Sequence, residues 1–317
     1  MSTAPPAIAV SDLAHAYPGR AGPVPALRGL TLAVAPGEFF GLFGPNGAGK
    51  TTFIRILATL VTPTAGRARV LGLDVAAQPA QVRARIGLVS SNENSFYGRL
   101  TARQNLEFFA GLQGLRPSAA RLRAAELLDV FGLRAAADAP AQTFSTGMRQ
   151  RLNVARALLH DPPVIFLDEP TKGLDVLAAA NLRALLKDEL VGRRGKTVLL
   201  TTHDLAEMEQ LCGRVAILEA GRLRAAGAPA DLIREASASV IYRLELAEPA
   251  PALAGQLAGL PAVAAVTAVS ATILELTLRG APGRELWAAL AAADVPVQRF
   301  APKDDGLVTV LKQAQPA

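Results

Sequence analysis

The loop at residues 44–52 constrains the fold of this chain more than any other stretch. It reads GPNGAGKTT and matches the pattern G-x-x-x-x-G-K-[ST] of a phosphate-binding loop. A short apolar run at 38–43 precedes it, and apolar residues at helical spacing follow it as far as Val61. A strand, a glycine-rich loop and a helix in this order direct backbone N–H groups and a helix N-terminus at one point. The stretch is therefore predicted to bind the phosphates of a nucleotide.

The side chains of the loop have predicted parts in that binding. Lys50 is expected to reach the β- and γ-phosphates of the nucleotide, and the Thr51 hydroxyl is expected to ligate Mg²⁺. The glycines let the backbone curl so that its N–H groups point inward. The alternative, a glycine turn with an incidental lysine, does not account for the flanking strand and helix. The predicted nucleotide-binding residues of the loop are Gly44, Pro45, Asn46, Gly47, Ala48, Gly49, Lys50, Thr51 and Thr52.

Composition excludes several classes of protein. Half of the 317 residues are hydrophobic and 19% are charged, which argues against disorder and allows two domains. Cys212 is the only cysteine, so no intramolecular disulfide is expected. The first residues lack the pattern of a signal peptide, and the most apolar stretch, 260–274, is too short to span a bilayer. The chain is expected not to cross a membrane.

The net charge of +6 raises the question of a nucleic-acid or anionic partner. Residues 238–317 are nearly neutral, so the excess lies in the first part of the chain. There the basic residues are scattered and lack the interleaved aromatic residues of a base-stacking surface. Arginine-rich solvated faces explain the charge, and no nucleic-acid partner is expected.

Two further apolar runs end in polar side chains. Residues 164–167 lead into Asp168 and Glu169, as a strand buried on both faces of a parallel sheet would. Ligands bind at the carboxyl ends of such strands, so Asp168 is predicted to hold Mg²⁺ through water and Glu169 to polarise the attacking water. The run at 197–202 ends before His203, which is predicted to contact the γ-phosphate at the same edge. An exposed acidic strand end is the alternative, but the phosphate loop gives these acids a partner.

The rest of the first 237 residues predicts strands and a helical region. Strands are expected near 8–17, 27–34 and 67–73, and helical spacing dominates about 91–160. Phe108 and Phe109 in that region are predicted to be core residues. Tyr17 has two interpretations from position alone: it stacks on a purine ring, or it is a half-buried strand tyrosine.

Residues 7–237 resemble the nucleotide-binding subunit of an ATP-binding cassette (ABC) transporter. The sequence FSTGM at 144–148 is similar to the LSGGQ signature of that family, and it precedes the strand ending at Asp168. The resemblance implies an α/β fold: a P-loop NTPase core with a parallel sheet, an antiparallel β subdomain and a helical insert. It also implies that Tyr17 stacks on adenine and that Asp175 belongs to the D-loop. The site residues it implies are Lys50, Glu169 and His203 for catalysis, and Ser145 and Gly147 as γ-phosphate contacts from a second subunit.

The function implied by the resemblance is ATP hydrolysis that energises export through a separately encoded transmembrane permease. ATP and Mg²⁺ are the expected cofactors, and a second nucleotide-binding subunit, in a homodimer, is the expected partner. The expected location is the cytoplasmic face of a bacterial cell membrane. A soluble ABC ATPase acting on ribosomes or nucleic acid is the main alternative, although such members usually carry two cassettes or long coiled coils. A non-hydrolysing nucleotide-regulated module is disfavoured by the presence of Lys50, Asp168, Glu169 and His203, and an importer stays open.

The sequence departs from the family in the Q-loop, where glutamine usually follows the strand predicted at 86–89. Ser90, Ser91 and Asn92 fill this place. Ser91, the predicted metal ligand, or else Asn92 is expected to offer an oxygen to Mg²⁺ or to the attacking water, with a shorter reach than glutamine has.

The tail at 238–317 is predicted to form a separate small α+β domain. Its pattern of strands and helices reads βαββαβ, which is the ferredoxin-like order. It resembles the accessory C-terminal domain of some bacterial exporter ATPases, and a regulatory or dimer-supporting role is expected.

Overall fold

The chain folds into two compact units, Met1–Ala226 and Gly227–Ala317, in the computed structural model. The structure describes residues 5–20, 22–90, 96–237, 240–279, 282–293 and 295–302. In these ranges no helix combines the length and the apolar character needed to cross a bilayer. The predicted functional boundary between residues 237 and 238 stays a prediction.

Strands and helices are numbered in chain order through both units. The strands are β1 Ile8–Tyr17, β2 Val24–Val34, β3 Phe39–Phe43, β4 Ala65–Val70, β5 Leu73–Asp74, β6 Ile86–Val89, β7 Val164–Asp168, β8 Thr197–Thr202, β9 Arg214–Glu219, β10 Arg222–Gly227, β11 Val240–Leu246, β12 Val263–Ser270, β13 Ile273–Leu278 and β14 Val297–Pro302. The helices are α1 Lys50–Leu57, α2 Pro79–Arg83, α3 Ala102–Leu112, α4 Pro117–Val130, α5 Thr146–Ala157, α6 Val176–Leu186, α7 Leu205–Leu211, α8 Pro229–Ser237, α9 Pro251–Ala258 and α10 Arg284–Ala292.

The central sheet has the order β10-β9-β3-β8-β7-β6. The pairs β3–β8, β3–β9, β7–β8 and β6–β7 are parallel. Every residue of β3, β7 and β8 is buried, which explains why these strands read as continuous apolar runs. Since Phe43 pairs with Thr202 and Asp168 pairs with Thr201, the carboxyl ends of these three strands meet at one edge. The predicted parallel core is confirmed.

A second, antiparallel sheet has the order β2-β1-β4-β5. It is the predicted antiparallel subdomain, and its apolar side chains share a core with α1. The single strand predicted at 67–73 is wrong in detail, because β4 ends at Val70 and β5 begins at Leu73. Leu71 and Gly72 have φ angles of 50° and 78°, so the chain turns back between the two strands.

Helices α3 to α5 form the predicted insert between β6 and β7. The prediction that Phe108 and Phe109 are core residues is wrong for Phe108, which is 40% exposed, and Phe109 is only partly buried. Successive helical residues point about 100° apart, so the two rings face different neighbours. The Phe109 ring lies 5.1 Å from the Arg156 guanidinium, whereas Phe108 packs edge-on against the exposed Tyr97.

The second unit has the predicted βαββαβ order, from β11 to β14. Its antiparallel sheet has the order β12-β13-β11-β14. Leucines of the sheet, such as Leu244 and Leu276, form a core with Leu257 of α9 and Leu286 of α10. This unit therefore has a hydrophobic core of its own.

Candidate functional site

The phosphate loop joins the end of β3 to the start of α1, and two of its glycines are required by close approaches of backbone. A Cβ atom on Gly44 would lie 2.2 Å from the Leu218 carbonyl oxygen. Gly49 has a φ of 106°, and a Cβ there would lie 2.5 Å from the Ala26 carbonyl oxygen. Only glycine fits both positions, so the loop stays tightly curled against its neighbours.

Lys50 is buried and bends back over this loop. Its Nζ atom donates to the carbonyl oxygens of Gly44 at 2.6 Å and Pro45 at 3.0 Å. Burial lowers the pKa of Lys50, and the nearby charges of Glu169 and Asp168 oppose that shift. The ammonium group is thus held at the centre of the loop, where bound phosphate oxygens would replace the carbonyl contacts.

Thr51 and Asp168 form an oxygen-rich corner beside the loop. The Thr51 hydroxyl lies 3.1 Å from both carboxylate oxygens of Asp168, and the Thr201 hydroxyl donates to Asp168 Oδ1 at 2.6 Å. Asp168 is buried and ends β7, while Thr201 comes from the neighbouring β8. A hydroxyl and a carboxylate are hard oxygen donors, so these residues fit Mg²⁺. Sequence reasoning missed Thr201.

Glu169 lies directly after β7, with a φ of 50° that is uncommon for a residue other than glycine. The Nδ1 atom of His203 donates to its Oε1 at 3.2 Å, and Lys172 Nζ lies 3.0 Å from its Oε2. Lys50 Nζ is 3.8 Å from the same Oε1. Burial by itself would raise the pKa of Glu169, but the hydrogen bonds and charges of Lys172 and His203 lower it below its usual value. Glu169 is therefore a carboxylate at neutral pH.

Lys172 is a residue of the site that sequence reasoning missed. It lies three residues after Glu169 in a turn that begins at Pro170, and Lys172 N donates to the Glu169 carbonyl at 3.2 Å. The sequence could have indicated this residue, because a lysine three positions after a predicted catalytic carboxylate is able to pair with it.

A cleft of about 240 Å³ lies over the loop and opens between these groups. Tyr17 lies near it, with its hydroxyl 3.4 Å from the Thr52 hydroxyl and its half-buried ring edge-on to His15. The structure thus brings together the loop, Asp168, Glu169 and His203. The cleft is lined by Ala26, Asn46, Gly47, Gly49, Lys50, Thr51, Thr52, Glu169 and Lys172.

Comparison with known proteins decides the family. The family described as "ABC transporter" matches residues 27–172. The ABC transporter ATP-binding protein NatA of Bacillus subtilis is 37% identical over 70% of this chain and 89% of its own length. This chain belongs to the ABC transporter ATP-binding proteins.

Two further relatives of this ABC ATPase differ in their named systems. The daunorubicin resistance ATP-binding protein DrrA2 of Streptomyces coeruleorubidus is 47% identical over 69% of this chain and 67% of its own length. The Nod factor export ATP-binding protein I of Paraburkholderia xenovorans is 44% identical over 65% of this chain and 66% of its own length. These similarities favour a transporter ATPase over the soluble ATPase considered as the alternative.

The cassette fold of this ABC ATPase is that of solved relatives. The dimeric post-hydrolysis structure of the ATP-binding cassette MJ0796, bound to ADP and Pi, superposes with a TM-score of 0.64. The two proteins are 28% identical, and the match covers 70% of this chain and 98% of that one. The α/β P-loop NTPase class and ATPase activity follow from the family and this fold.

Other predicted site residues of the ABC ATPase lie away from its own phosphate loop. Ser145 is the N-cap of α5, and its Oγ accepts from Met148 N at 3.2 Å. Asp175 is the N-cap of α6, and its Oδ1 accepts from Ala178 N at 2.8 Å. Neither of them, nor Gly147, lines the cleft. Ser91, the predicted metal ligand, lies outside the described residues. The neighbouring Ser90 is described, and its carbonyl accepts from Asn153 of α5 at 3.0 Å.

Proposed function

We propose that this ABC ATPase energises export of a substrate through a separately encoded permease, at the cytoplasmic face of a bacterial cell membrane. The observation that carries its ATP chemistry is that Glu169, Lys50 and the Thr51–Asp168 pair meet at one cleft. The Nod factor export relative supports the direction of transport. We place the cassette at residues 7–237 and an accessory domain at 238–317.

The residues of the cleft have separate roles in this proposal. The loop N–H groups and Lys50 bind the ATP phosphates, and Tyr17 stacks on the adenine. Thr51 and Asp168 hold Mg²⁺, and Ser91 adds an oxygen. When bound, Mg²⁺ neutralises phosphate charge. Glu169 accepts a hydrogen bond from the attacking water and orients it towards the γ-phosphoryl group. His203 holds Glu169 through their contact and approaches the γ-phosphate from the end of β8.

A second copy of the chain completes the site in this proposal. Ser145 and Gly147 would reach the γ-phosphate held by the opposite subunit, with Asp175 at the interface. Val176 and Leu177, which follow Asp175, are 86% and 71% exposed and are suited to burial in such an interface. The dimeric MJ0796 cassette provides the precedent.

Glu169→Gln tests the catalytic and dimer proposals together. The variant is expected to bind ATP as the wild type does, to lose hydrolysis, and to accumulate as a dimer when ATP and Mg²⁺ are saturating. ATP binding, phosphate release and molar mass by light scattering measure the three properties. An ATPase rate equal to that of the wild type would contradict the role of Glu169. A variant that stays monomeric would contradict the dimer.

The permease is proposed to dock at an apolar groove between the insert and the central sheet. The docking groove is a cavity of about 480 Å³, lined among others by Leu60, Leu88, Leu112 and Arg83. Leu60 and Leu112 are 60% and 69% exposed, and Phe108 lies one helical turn before Leu112. A short amphipathic helix with an acidic side chain, from a cytoplasmic loop of the permease, would match the apolar wall and the Arg83 charge.

Substitution in the docking groove tests this proposal. Leu112→Asp is expected to abolish co-purification of a polytopic membrane protein from gently solubilised membranes. Leu122→Asp is the matched control, because Leu122 is 75% exposed on α4 and does not line the groove. Equal recovery of the partner with both variants would contradict docking at this groove. Recovery of ribosomal or nucleic-acid components would instead support the soluble class of ATPase.

A further inference from the structure

A half-buried histidine lies beside Tyr17 on β1. The rings of His15 and Tyr17 meet edge-on, with their centroids 4.6 Å apart and their planes at 83° to each other. Edge-on pairs at this separation are a favourable arrangement of aromatic rings. The contact therefore restricts the orientation of the Tyr17 ring.

The pairing of β1 with β2 explains why the two rings share a side of the sheet. The register skips Ala26 of β2 between the partners of His15 and Ala16. An extra residue is a bulge of the strand that carries it, so β1 itself stays regular at this point. Residues i and i+2 of a regular strand point to the same side, which places His15 next to Tyr17. Ala26 also lines the cleft over the phosphate loop, so this part of the sheet borders the cleft.

Each of the two rings has a second contact. The Tyr17 hydroxyl lies 3.4 Å from the hydroxyl of Thr52, a residue that lines the cleft. His15 Nδ1 lies 3.4 Å from the Thr64 hydroxyl, which also accepts from Ala16 N at 3.2 Å. The Nε2 atom of His15 is buried, and no described residue forms a hydrogen bond with it. Burial of such an atom is unfavourable, so hydrogen bonding alone does not account for the position of His15.

The edge-on geometry leaves a face of the Tyr17 ring uncovered by His15. In such a pair, either the edge of one ring meets the face of the other or the reverse. His15 therefore covers at most one face of Tyr17, and the opposite face is able to stack on a purine. A side chain that is already ordered loses less conformational entropy when its ligand binds. Contact with His15 should thus strengthen stacking on Tyr17 although His15 itself does not touch the base.

We propose that His15 is a positioning residue that holds the Tyr17 ring in the orientation that stacks on the adenine. The inference rests on the stacking role of Tyr17 under the proposed function. His15 does not line the cleft over the phosphate loop, and the loop contacts of Lys50 do not involve it. Its contribution to binding therefore depends on the base of the nucleotide and is independent of the phosphates.

Calorimetric titration of the full chain with ADP and with inorganic pyrophosphate, each with Mg²⁺, tests this role. Both ligands carry a diphosphate, but only ADP carries a base. His15→Gln keeps a polar side chain and removes the ring, so ADP binding should weaken about two- to tenfold, the range of an aromatic pair. Pyrophosphate should bind the variant as it binds the wild type. His15→Phe restores an aromatic ring and is expected to retain most of the ADP affinity.

The control and the contradicting outcomes follow from the same titrations. Ser11→Ala, at an exposed position of β1, is the matched control and should bind both ligands as the wild type does. Wild-type ADP affinity in folded His15→Gln overturns the inference, as does an equal loss of ADP and pyrophosphate affinity. A His15→Phe variant as weak as His15→Gln also overturns it. If thermal unfolding shows that His15→Gln is not folded, His15→Leu replaces it, with the same expected loss of ADP affinity.

Tyr17→Ala in the same titrations separates this inference from the proposed function. Loss of stacking should weaken ADP binding at least about fivefold and leave pyrophosphate binding unchanged. With that result, wild-type behaviour of His15→Gln concerns only the positioning role. Wild-type ADP affinity in Tyr17→Ala would contradict the stacking role of Tyr17 and the inference together.

Discussion

Glu169 shares both of its carboxylate oxygens with nitrogen donors. His203 occupies Oε1 at 3.2 Å and Lys172 occupies Oε2 at 3.0 Å. Each carboxylate oxygen accepts up to two hydrogen bonds, so both contacts leave room for the water molecule that the proposed role of Glu169 requires. In the salt bridge between Lys172 and Glu169, the Lys172 side chain is the more exposed. Solvent therefore weakens this contact.

Lys172 is expected to assist ATP binding, because it places a second cation at the edge of the phosphate cleft. Lys172→Ala should raise the KM for ATP about two- to fivefold, the range of a solvent-exposed ion pair. Titration of ATP binding at low and high salt measures the effect, which should shrink as salt screens the charge. Lys187→Ala removes a lysine that bonds Gln210 outside the cleft and should leave KM unchanged. Identical KM values for wild type and Lys172→Ala would contradict the prediction.

Lys50 is expected to dominate nucleotide binding, since it is buried at the centre of the loop. Lys50→Ala removes charge-assisted hydrogen bonds to the phosphates and should weaken ATP binding by at least about tenfold. Calorimetric binding to the nucleotide measures this loss, and thermal unfolding verifies that the variant is folded. Retention of wild-type affinity by a folded variant would contradict the assignment of Lys50.

At the scale of elements, a cluster of charged side chains connects α4 of the insert to the end of α5 and to the segment just before β8. Arg123 of α4 donates to the carbonyl of Leu158 at 2.9 Å and pairs with Glu126 at 2.7 Å. Arg194 lies 2.9 Å from Glu126, and Lys196 lies 2.9 Å from Asp161. Just beyond its last residue, α5 is thus joined to the rest of the cassette by the Arg123 hydrogen bond to the Leu158 carbonyl and by the Lys196–Asp161 ion pair.

Acid is expected to weaken this cluster. Burial would raise the pKa of Glu126, but hydrogen bonds from Arg194 and Arg123 lower it below the ordinary 4.5. A carboxyl group with a lowered folded-state pKa stabilises the protein above its unfolded-state value, and that contribution disappears as pH falls through the folded-state value. Glu126→Gln should therefore have a lower melting temperature than the wild type. This difference should be largest above pH 4.5 and should shrink below it.

Thermal unfolding between neutral and strongly acidic pH measures that difference. Glu285→Gln alters an exposed carboxylate of α10 and serves as the control, with little effect on the melting temperature at any pH. A difference that stays constant as pH falls would contradict a role for ionised Glu126 in stability.

At the scale of the whole molecule, the described residues of each unit form a hydrophobic core. The first joins the antiparallel sheet, α1 and the central sheet, and every predicted catalytic residue lies in that unit. The second joins Leu244, Leu276 and their neighbours to α9 and α10. Units with cores of their own are expected to fold independently.

Truncation after Ser237 tests this independence. The shortened chain should unfold cooperatively and hydrolyse ATP at a rate comparable with that of the whole protein, because the cleft is built from the first unit alone. Calorimetry and phosphate release measure the two properties, and the intact chain is the control. A truncated chain that is folded but inactive would show that residues 238–317 take part in hydrolysis. Loss of cooperative unfolding would contradict the independence of the cassette.

The sequence by itself determined the phosphate loop, the buried parallel strands and the family. These features depend on local pattern: glycines before Lys50, apolar runs that end in Asp168 and Glu169, and a signature before that strand. The βαββαβ order of the second unit was also predicted from alternation and helical spacing. The roles of the site residues stay predictions, because their spacing identifies the chemistry without measuring it.

Only the tertiary structure decided which side chains meet. Lys172 and Thr201 contact Glu169 and Asp168 because a turn and a neighbouring strand bring them there, and local sequence patterns do not encode such pairing. For Phe108 the sequence-based prediction was wrong: its apolar side chain predicted a core position, but its place on α3 leaves it exposed. Periodicity specifies a face of a helix, but the packing of the neighbouring elements decides whether that face is covered.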